Sequence, residues 1–144
     1  MGFQTLQHKL ADLIKWTTSG SIQLPDFQRG YVWDDERVRQ LLVTIGVGHP
    51  LGVALMLETG SDEIHFQSRP IEGTVPSTNN VPDLLVLDGQ QRLTSLTQAF
   101  SGDGVVQTKD DGERRYFIKV LEAVKDPADL YDVIVSLPAD GIVR

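Results

Sequence analysis

The sequence predicts a mixed α/β domain of the α+β kind, in which one central mixed sheet is flanked by helices. Short apolar runs of strand length alternate with segments whose apolar residues recur at helical spacing. Two of the runs, residues 53–57 and 84–87, are continuously apolar, which is typical of strands buried on both faces. The length of 144 residues suffices for one core and is too short for two. We therefore expect a single domain over residues 1–144.

The first half of the chain is predicted to contain two helices joined by a short strand. Gly20 suits the left-handed position that ends many helices, and it follows a first apolar stripe. Residues 22–25 are expected to be extended, because Leu24 precedes a proline. Asp34 can cap the second helix, and two further acidic residues occupy its first turn. The apolar stripes are Leu6, Leu10, Leu13 and Ile14 in the first helix, and Val38, Leu41, Leu42 and Ile45 in the second.

The second half is predicted to alternate strands with helices. Leu84 begins an apolar run that stops at Asp88, after which apolar residues recur at helical spacing as far as Phe100. Asp126 precedes a proline and suits the cap of a short last helix that runs through Val135. The other predicted elements are strands over residues 53–57, 63–67 and 116–121, a surface loop over residues 69–82, and an acidic hairpin tip at residues 110–113.

Composition excludes several functional classes. The net charge of -7 and the isoelectric point near 4.8 disfavour nonspecific binding to nucleic acid, which needs clustered cations. The absence of cysteine excludes disulfides, thiolate metal sites and cysteine nucleophiles. The histidines are far apart in the sequence and have no second ligand at metal spacing, so we expect no zinc site and assign no metal-binding residues. No signal peptide and no run of roughly 18 apolar residues is present, so we expect a cytoplasmic protein without a membrane partner.

The turn from Asp88 to Arg92 has the composition of an anion site. The first N–H groups of a helix have no partner within the helix, and the helix dipole adds partial positive charge there. Gly89 lets an anion approach the backbone, and Arg92 can add a two-pronged cationic contact. Gln90 and Gln91 offer uncharged donors and acceptors. The structural alternative is a tight turn whose polar residues are merely solvated.

Asp88 has three possible roles at this turn. Its carboxylate can cap the following helix, hold a magnesium ion against bound phosphates, or orient an attacking water. The sequence does not choose among them.

Three aromatic residues surround an amide and a cation in the segment from Phe27 to Trp33. Gln28 and Arg29 can be presented to a pocket, and Tyr31 or Trp33 can stack on a base. The structural alternative places Phe27 and Trp33 in the core, with Trp33 packed before the cap of the second helix.

Two motifs carry a resemblance to a known family. LPDFQRGYVW at residues 24–33 and VLDGQQRLTSL at residues 86–96 resemble the N-terminal domain of GmrSD-type, modification-dependent (type IV) restriction enzymes, also described as domain of unknown function 262. The segment between them, including GHPLG at residues 48–52, is similar as well. The resemblance covers roughly residues 20–100, which we take as the motif core.

The resemblance implies a ParB- and sulfiredoxin-like fold whose D-G-x-x-R-like turn holds the phosphates of a nucleotide. It also implies nucleoside triphosphate hydrolysis, with Mg²⁺ as cofactor, coupled to sensing modified DNA for phage defence. By this resemblance the catalytic residues are Asp88, Gln91 and Arg92. The residues expected to bind the nucleotide or its phosphates are Gln28, Arg29, Tyr31, Gly89, Gln90 and Thr94.

Family proteins are usually several times longer and carry a C-terminal HNH-type nuclease domain. This chain has no His-Asn-His cluster, so we expect it to be the N-terminal fragment of a longer protein or the partner of a separate nuclease chain. We expect no DNA cleavage from this chain alone. The alternative functions are a non-catalytic reader of modified DNA and a ParB-like DNA nickase.

Overall fold

The computed structural model describes residues 4–60, 66–76, 81–127 and 129–141. Its helices are α1 (Leu10–Ser19), α2 (Asp35–Gly46), α3 (Gln90–Phe100) and α4 (Val120–Lys125). Its strands are β1 (Ile22–Pro25), β2 (Leu55–Glu58), β3 (Ser68–Arg69), β4 (Leu84–Asp88), β5 (Val106–Thr108), β6 (Gly112–Ile118) and β7 (Ile134–Pro138). The predicted mixed α/β class is confirmed.

The larger sheet fixes the position of the two sequence motifs. Its strand order is β2-β4-β1-β3, and β1 and β4 are parallel neighbours, with Ile22 opposite Leu84. The two outer strands run antiparallel to their neighbours. Because β1 and β4 are parallel, their carboxyl ends meet at one edge of the sheet. Each motif begins in one of these strands and continues past that edge.

A second, antiparallel sheet follows α3 and has the strand order β5-β6-β7. The predicted acidic hairpin tip lies between β5 and β6, with Thr108 paired to Gly112. The expectation of one central sheet was wrong, because no strand was predicted at β5 and because β7 begins within the predicted last helix.

Helix α3 lies at the centre of the domain, and eight of its 11 residues are buried. Leu93 packs with Ile22, Leu24 and Val86 of the larger sheet. Leu96, one turn further along, packs with α2 and with Val106 and Ile134 of the smaller sheet. The helix that follows Asp88 therefore joins both halves of the core.

Several sequence-based boundaries are confirmed. Gly20 ends α1 in the left-handed conformation, with φ 85°. The Asp34 side chain accepts a hydrogen bond from the Arg37 backbone N at 2.9 Å and caps α2. The strand before Asp88 has the predicted start, and its central residues Leu85 and Val86 are buried. Leu6, however, lies outside α1 and is exposed.

Other predictions were wrong. The run at residues 53–57 is not buried on both faces: it supplies the edge strand β2, and Val53 is 79% exposed. An apolar run cannot distinguish a central strand from an edge strand. The predicted last helix is also wrong, because α4 ends at Lys125 and Val135 pairs with Phe117 in the smaller sheet. Hydrogen bonding across the sheet outweighs the local signal of the Asp-Pro pair.

The predicted strand at residues 63–67 falls largely outside the described residues, and β3 begins only at Ser68. The predicted strand at 116–121 is displaced toward the N-terminus, since β6 ends at Ile118 and α4 begins at Val120. None of the described helices is long and apolar enough to cross a membrane.

Candidate functional site

The turn between β4 and α3 is built on a left-handed glycine. Gly89 has φ 89° and is the N-cap of α3, and its backbone N donates to Asp88 Oδ1 at 2.8 Å. Asp88 therefore precedes the cap position and does not cap the helix through its side chain. Asp88 is exposed, and its Oδ2 forms no hydrogen bond or ion pair with the residues that the structure describes.

The first helical hydrogen bond runs from Leu93 N to Gly89 O at 3.0 Å. The N–H groups of Gln90, Gln91 and Arg92 precede it, so helix geometry gives them no acceptor within α3. No acidic side chain occupies the first turn. The combination of open N–H groups and the positive end of the helix dipole favours an anion at Gly89.

Gln91 links the two sequence motifs. Its Oε1 accepts from Val32 N at 2.8 Å, and its Nε2 donates to Gly30 O at 3.1 Å. The side chain thus pairs with the backbone of residues 30–32 as a neighbouring strand would. Both polar atoms of Gln91 make these contacts, so the amide fixes the position of the loop.

Gln90 holds the same loop one residue earlier. Its Nε2 donates to Arg29 O at 3.2 Å, while its side chain is almost wholly buried, with 8% of the residue exposed. Its Oε1 is the one buried side-chain polar atom, among those of the described residues, that has no hydrogen-bond partner. A buried acceptor without a donor costs about 1–3 kcal/mol, so a ligand or water that donates to it is favoured.

The loop from Gln28 to Val32 is fixed from the opposite side by Arg69 and Glu72. The Glu72 carboxylate accepts from Tyr31 N at 3.0 and 3.1 Å and pairs with Arg69 at 3.1 Å. Arg69 also donates to Gln28 O at 3.0 Å, and Gln28 Nε2 donates to Leu87 O at 3.0 Å. These contacts attach the first motif to the carboxyl end of β4.

The two arginines of the motifs have different environments. Arg92 donates to the carbonyl oxygens of Leu51 and Val53, the latter at 2.8 Å, so its guanidinium holds the loop before β2 against the turn. Arg29 is exposed, and its guanidinium makes no hydrogen bond or ion pair with any residue in the described ranges. Because the backbone of Arg29 is fixed and its side chain is not, Arg29 is the cation available to a ligand at this edge.

Gly52 and Gly89 both have positive φ values and lie close to the Arg92 guanidinium. A Cβ added to Gly52, which has φ 95°, would overlap Arg92 Nη1. A Cβ added to Gly89 would lie 3.3 Å from Arg92 Nη2 and 3.3 Å from Ala54 Cβ. The turn and the loop therefore pack as one unit with the Arg92 guanidinium between them.

The remaining predicted site residues are less accessible. Thr94 is 2% exposed, so a ligand at the surface does not reach its hydroxyl. Tyr31 and Trp33 pack against the core, and Tyr31 Oη lies 2.6 Å from Ser95 Oγ. The expected core position of Phe27 was wrong: it is 66% exposed, because the turn after β1 directs it away from both core clusters.

A separate depression of about 440 Å³ lies at the hairpin between β5 and β6. It is lined by residues 111–114 and 138–140, among them three carboxylates. Asp111 there accepts from Asp35 N at 3.0 Å and stabilises the start of α2. The negative charge disfavours an anionic ligand, so the Gly89 turn is the better candidate for a phosphate site.

A family model described as the N-terminal domain of the GmrSD restriction endonuclease matches residues 10–136. The chain belongs to this family. An uncharacterized protein of Methanocaldococcus jannaschii is similar to it, with 32% identity over 135 residues. The matched region is 91% of this chain and 23% of that protein, so the chain spans about a quarter of the length of its relative. No solved structure matches the chain at a significant level.

Two residues that organise this GmrSD-type site were missed by sequence reasoning. Arg69 and Glu72 lie in a segment that was predicted to be a surface loop. Their spacing of three residues suits an ion pair but gives no sign that Glu72 accepts from the distant Tyr31 N. Only the pairing of β1 with β3, with Leu24 opposite Arg69, brings them to the site.

The three tyrosines of this GmrSD-type domain are expected to ionise late. Burial raises the pKa of Tyr31 to about 12. Burial and a hydrogen bond to the Asp35 carboxylate raise the pKa of Tyr116, and a hydrogen bond to Glu36 raises that of Tyr131. In the folded protein we therefore expect little tyrosinate absorbance at pH 10, the ordinary midpoint of a tyrosine.

The same shifts predict a loss of stability in alkali. A phenol whose pKa is higher in the folded state than in the unfolded state stabilises the fold fully below its ordinary pKa, and this contribution disappears as the pH rises through the folded pKa. The free energy of unfolding should therefore fall from pH 10 toward about 12, and Tyr31→Phe should reduce that fall. Denaturant titrations across this range test the prediction, and tyrosines half ionised at pH 10 in the folded protein would contradict it.

Proposed function

We propose that this GmrSD-type domain binds a nucleoside triphosphate at the Gly89 turn and hydrolyses it as a regulatory step of a restriction system. The observation that supports this most strongly is the combination, at one edge of the sheet, of open α3 N–H groups, the buried and unpartnered Gln90 Oε1, and the free Arg29 guanidinium. A polyphosphate satisfies the N–H groups and the cation.

In this proposal the phosphate charge is stabilised by the α3 N-terminus and by Arg29. Phosphoryl transfer chiefly requires placement and electrostatic stabilisation of the oxygens, and a planar guanidinium with several donors supplies both. Gln91, Gln90 and Glu72 act as positioning residues, because they hold the backbone that carries Arg29. Arg92 positions the loop before β2, in place of the direct phosphate contact expected from the sequence.

Asp88 is the residue best placed to take part in hydrolysis. It is exposed beside Gly89, with Oδ2 available to hold a water or a magnesium ion. The described residues contain no cluster of three or more metal-binding side chains. Mg²⁺ is commonly held by one or two carboxylates together with substrate phosphates, and the single carboxylate of Asp88 suits that arrangement. The ion would offset phosphate charge.

The proposal extends to the complete restriction enzyme. Because the chain matches a domain that is about a quarter of its relative, we propose that modified DNA is engaged through the full-length protein and cut by an HNH-type nuclease domain or chain outside this sequence. The net charge of -7 disfavours tight binding of DNA by this domain alone.

Replacing Arg29 tests the proposed phosphate site. We expect Arg29→Ala to weaken binding of a nucleoside triphosphate with Mg²⁺ by roughly 10- to 100-fold, the loss of one charge-assisted contact. The fold should be unchanged, because only the backbone of Arg29 makes contacts with described residues. Isothermal titration calorimetry with each common ribonucleoside triphosphate measures the effect.

Arg37→Ala is the matched control, because it removes the same charge from an exposed position on α2 whose ion pair with Asp34 is long, at 3.8 Å. This variant should bind nucleotide as the unmodified chain does. If the unmodified chain is folded but binds no nucleotide, the proposal fails, and a non-catalytic reader of modified DNA becomes the better interpretation. Equal losses in the two variants would indicate a general charge effect and would also contradict the site.

A further inference from the structure

An exposed pair of aromatic rings lies at the same edge of the larger sheet. Phe27 is 66% exposed and Phe66 is 47% exposed, although phenylalanine is usually buried. Their ring centroids are 5.4 Å apart with an interplanar angle of 71°, an edge-to-face arrangement. The sequence had indicated Tyr31 or Trp33 as stacking residues, but both pack against the core.

The pair is held on fixed backbone beside the proposed phosphate site. Asp26 N donates to Gln67 O at 2.8 Å, which extends the pairing of β1 with β3 up to the two rings. Gln28, the residue after Phe27, donates through Nε2 to Leu87 O at 3.0 Å, just before the Asp88-Gly89 turn. The Phe27 ring is therefore attached to the strand end that carries the phosphate site.

We infer that Phe27, supported edge-on by Phe66, is the surface on which the base of the bound nucleotide stacks. The inference rests on the proposed nucleotide site and adds the residues that recognise the base. A nucleotide combines a polyanion with a flat aromatic base, and this edge of the sheet offers a cation, open N–H groups and exposed rings together. Base–aromatic stacking is sequence-tolerant, so the shelf formed by Phe27 and Phe66 should accept several bases.

The size of the shelf favours a base over a protein partner. A protein interface of standard size buries about 800 Å² on each side, whereas a single aromatic side chain buries about 150–250 Å². Two partly exposed rings fall well short of a protein interface. They suit one heteroaromatic ring system, and Arg29, two residues after Phe27, supplies charge next to it.

The test measures the contribution of the base to binding separately from that of the phosphates. Calorimetry compares a purine nucleoside triphosphate with inorganic tripolyphosphate, each with Mg²⁺, for the unmodified chain, Phe27→Ala and Phe27→Trp. We expect Phe27→Ala to weaken nucleotide binding by roughly tenfold or more, from the loss of one stacking contact, and to leave tripolyphosphate affinity unchanged. Phe27→Trp, which keeps a flat ring, should retain the preference for the nucleotide.

Phe100→Ala is the matched control, because Phe100 is similarly exposed but lies at the far end of the 11-residue α3. It should change neither affinity. Equal loss of nucleotide and tripolyphosphate binding in Phe27→Ala, or no loss of either, would contradict base stacking on Phe27. Neither result would contradict the proposed phosphate site. Binding of neither ligand by the unmodified chain would remove the proposed function and the shelf together.

A short single-stranded oligodeoxynucleotide, used as a competitor, distinguishes the two sources of a base. If Phe27→Ala weakens oligonucleotide binding but not nucleotide binding, the base belongs to DNA, and the inference as stated is overturned. If the nucleotide alone responds to the substitution, the shelf belongs to the nucleotide site.

Discussion

Gln91→Ala is expected to lower the free energy of unfolding by about 2–4 kcal/mol and to weaken nucleotide binding roughly tenfold or more. The substitution leaves Val32 N and Gly30 O without the partners that now lie at 2.8 and 3.1 Å. It also opens a space beneath the loop that carries Arg29. Urea denaturation measures the loss of stability, and calorimetry of the folded protein measures the loss of affinity.

Gln40→Ala is the matched control, since Gln40 is an exposed helical glutamine whose Nε2 donates to Glu36 Oε1 at 3.0 Å. It should change stability by less than about 0.5 kcal/mol. A second variant, Gln91→Glu, keeps an acceptor for Val32 N but places a carboxylate against the Gly30 carbonyl oxygen. It should be less stable at neutral pH and partly recover in acid, where a protonated carboxyl can donate. Unchanged stability of Gln91→Ala would contradict the link between the motifs.

The turn that carries the candidate site could be predicted from the sequence, because its conformation depends on local chemistry. A buried strand that ends at Asp-Gly before a helical stripe implies a sharp turn with open N–H groups, and the structure places Gly89 at such a turn. The cap at Asp34 and the helix end at Gly20 were predictable for the same reason. In each case the residues that decide the conformation are neighbours in the chain.

The different contacts that the residues of the candidate site make could not be predicted, because they join residues that are distant in the sequence. Gln91 and Val32 are 59 positions apart, and Arg92 and Leu51 are 41 apart. The resemblance implied a catalytic Arg92 and a phosphate-binding Arg29. Only the fold shows that the carbonyl oxygens of the loop before β2 accept from Arg92 and that the Arg29 guanidinium contacts none of the described residues.

The exposure of single apolar residues was equally unpredictable. Phe27 and Trp33 belong to the same motif, yet one is exposed and the other packs against the core. The difference arises from the turn after Pro25, where Gln28 N donates to Pro25 O at 3.1 Å and the strand direction is lost. Strand periodicity therefore gives no guidance beyond that point.

Leu96→Ala is expected to match or exceed the destabilisation of Gln91→Ala while leaving nucleotide binding intact. Leu96 is buried where α3 meets α2 and the smaller sheet, and truncation of a buried leucine costs about 2–5 kcal/mol. The side chain lies more than one helical turn beyond Arg92, and the loop around Arg29 draws its contacts from Gln90, Gln91 and the β3 side.

A comparison of Leu96→Ala with Gln91→Ala distinguishes an effect on stability from an effect on the geometry of the site. Urea denaturation of Leu96→Ala should show the loss of stability, and calorimetry at a temperature where both variants are folded should show nucleotide affinity within about twofold of the unmodified chain. If Leu96→Ala also lost nucleotide binding, the reduced nucleotide affinity of Gln91→Ala would reflect a general loosening of α3. If Leu96→Ala kept its nucleotide affinity, the Gln91 amide would be the specific support of the site, because only the Gln91 substitution releases the backbone that presents Arg29.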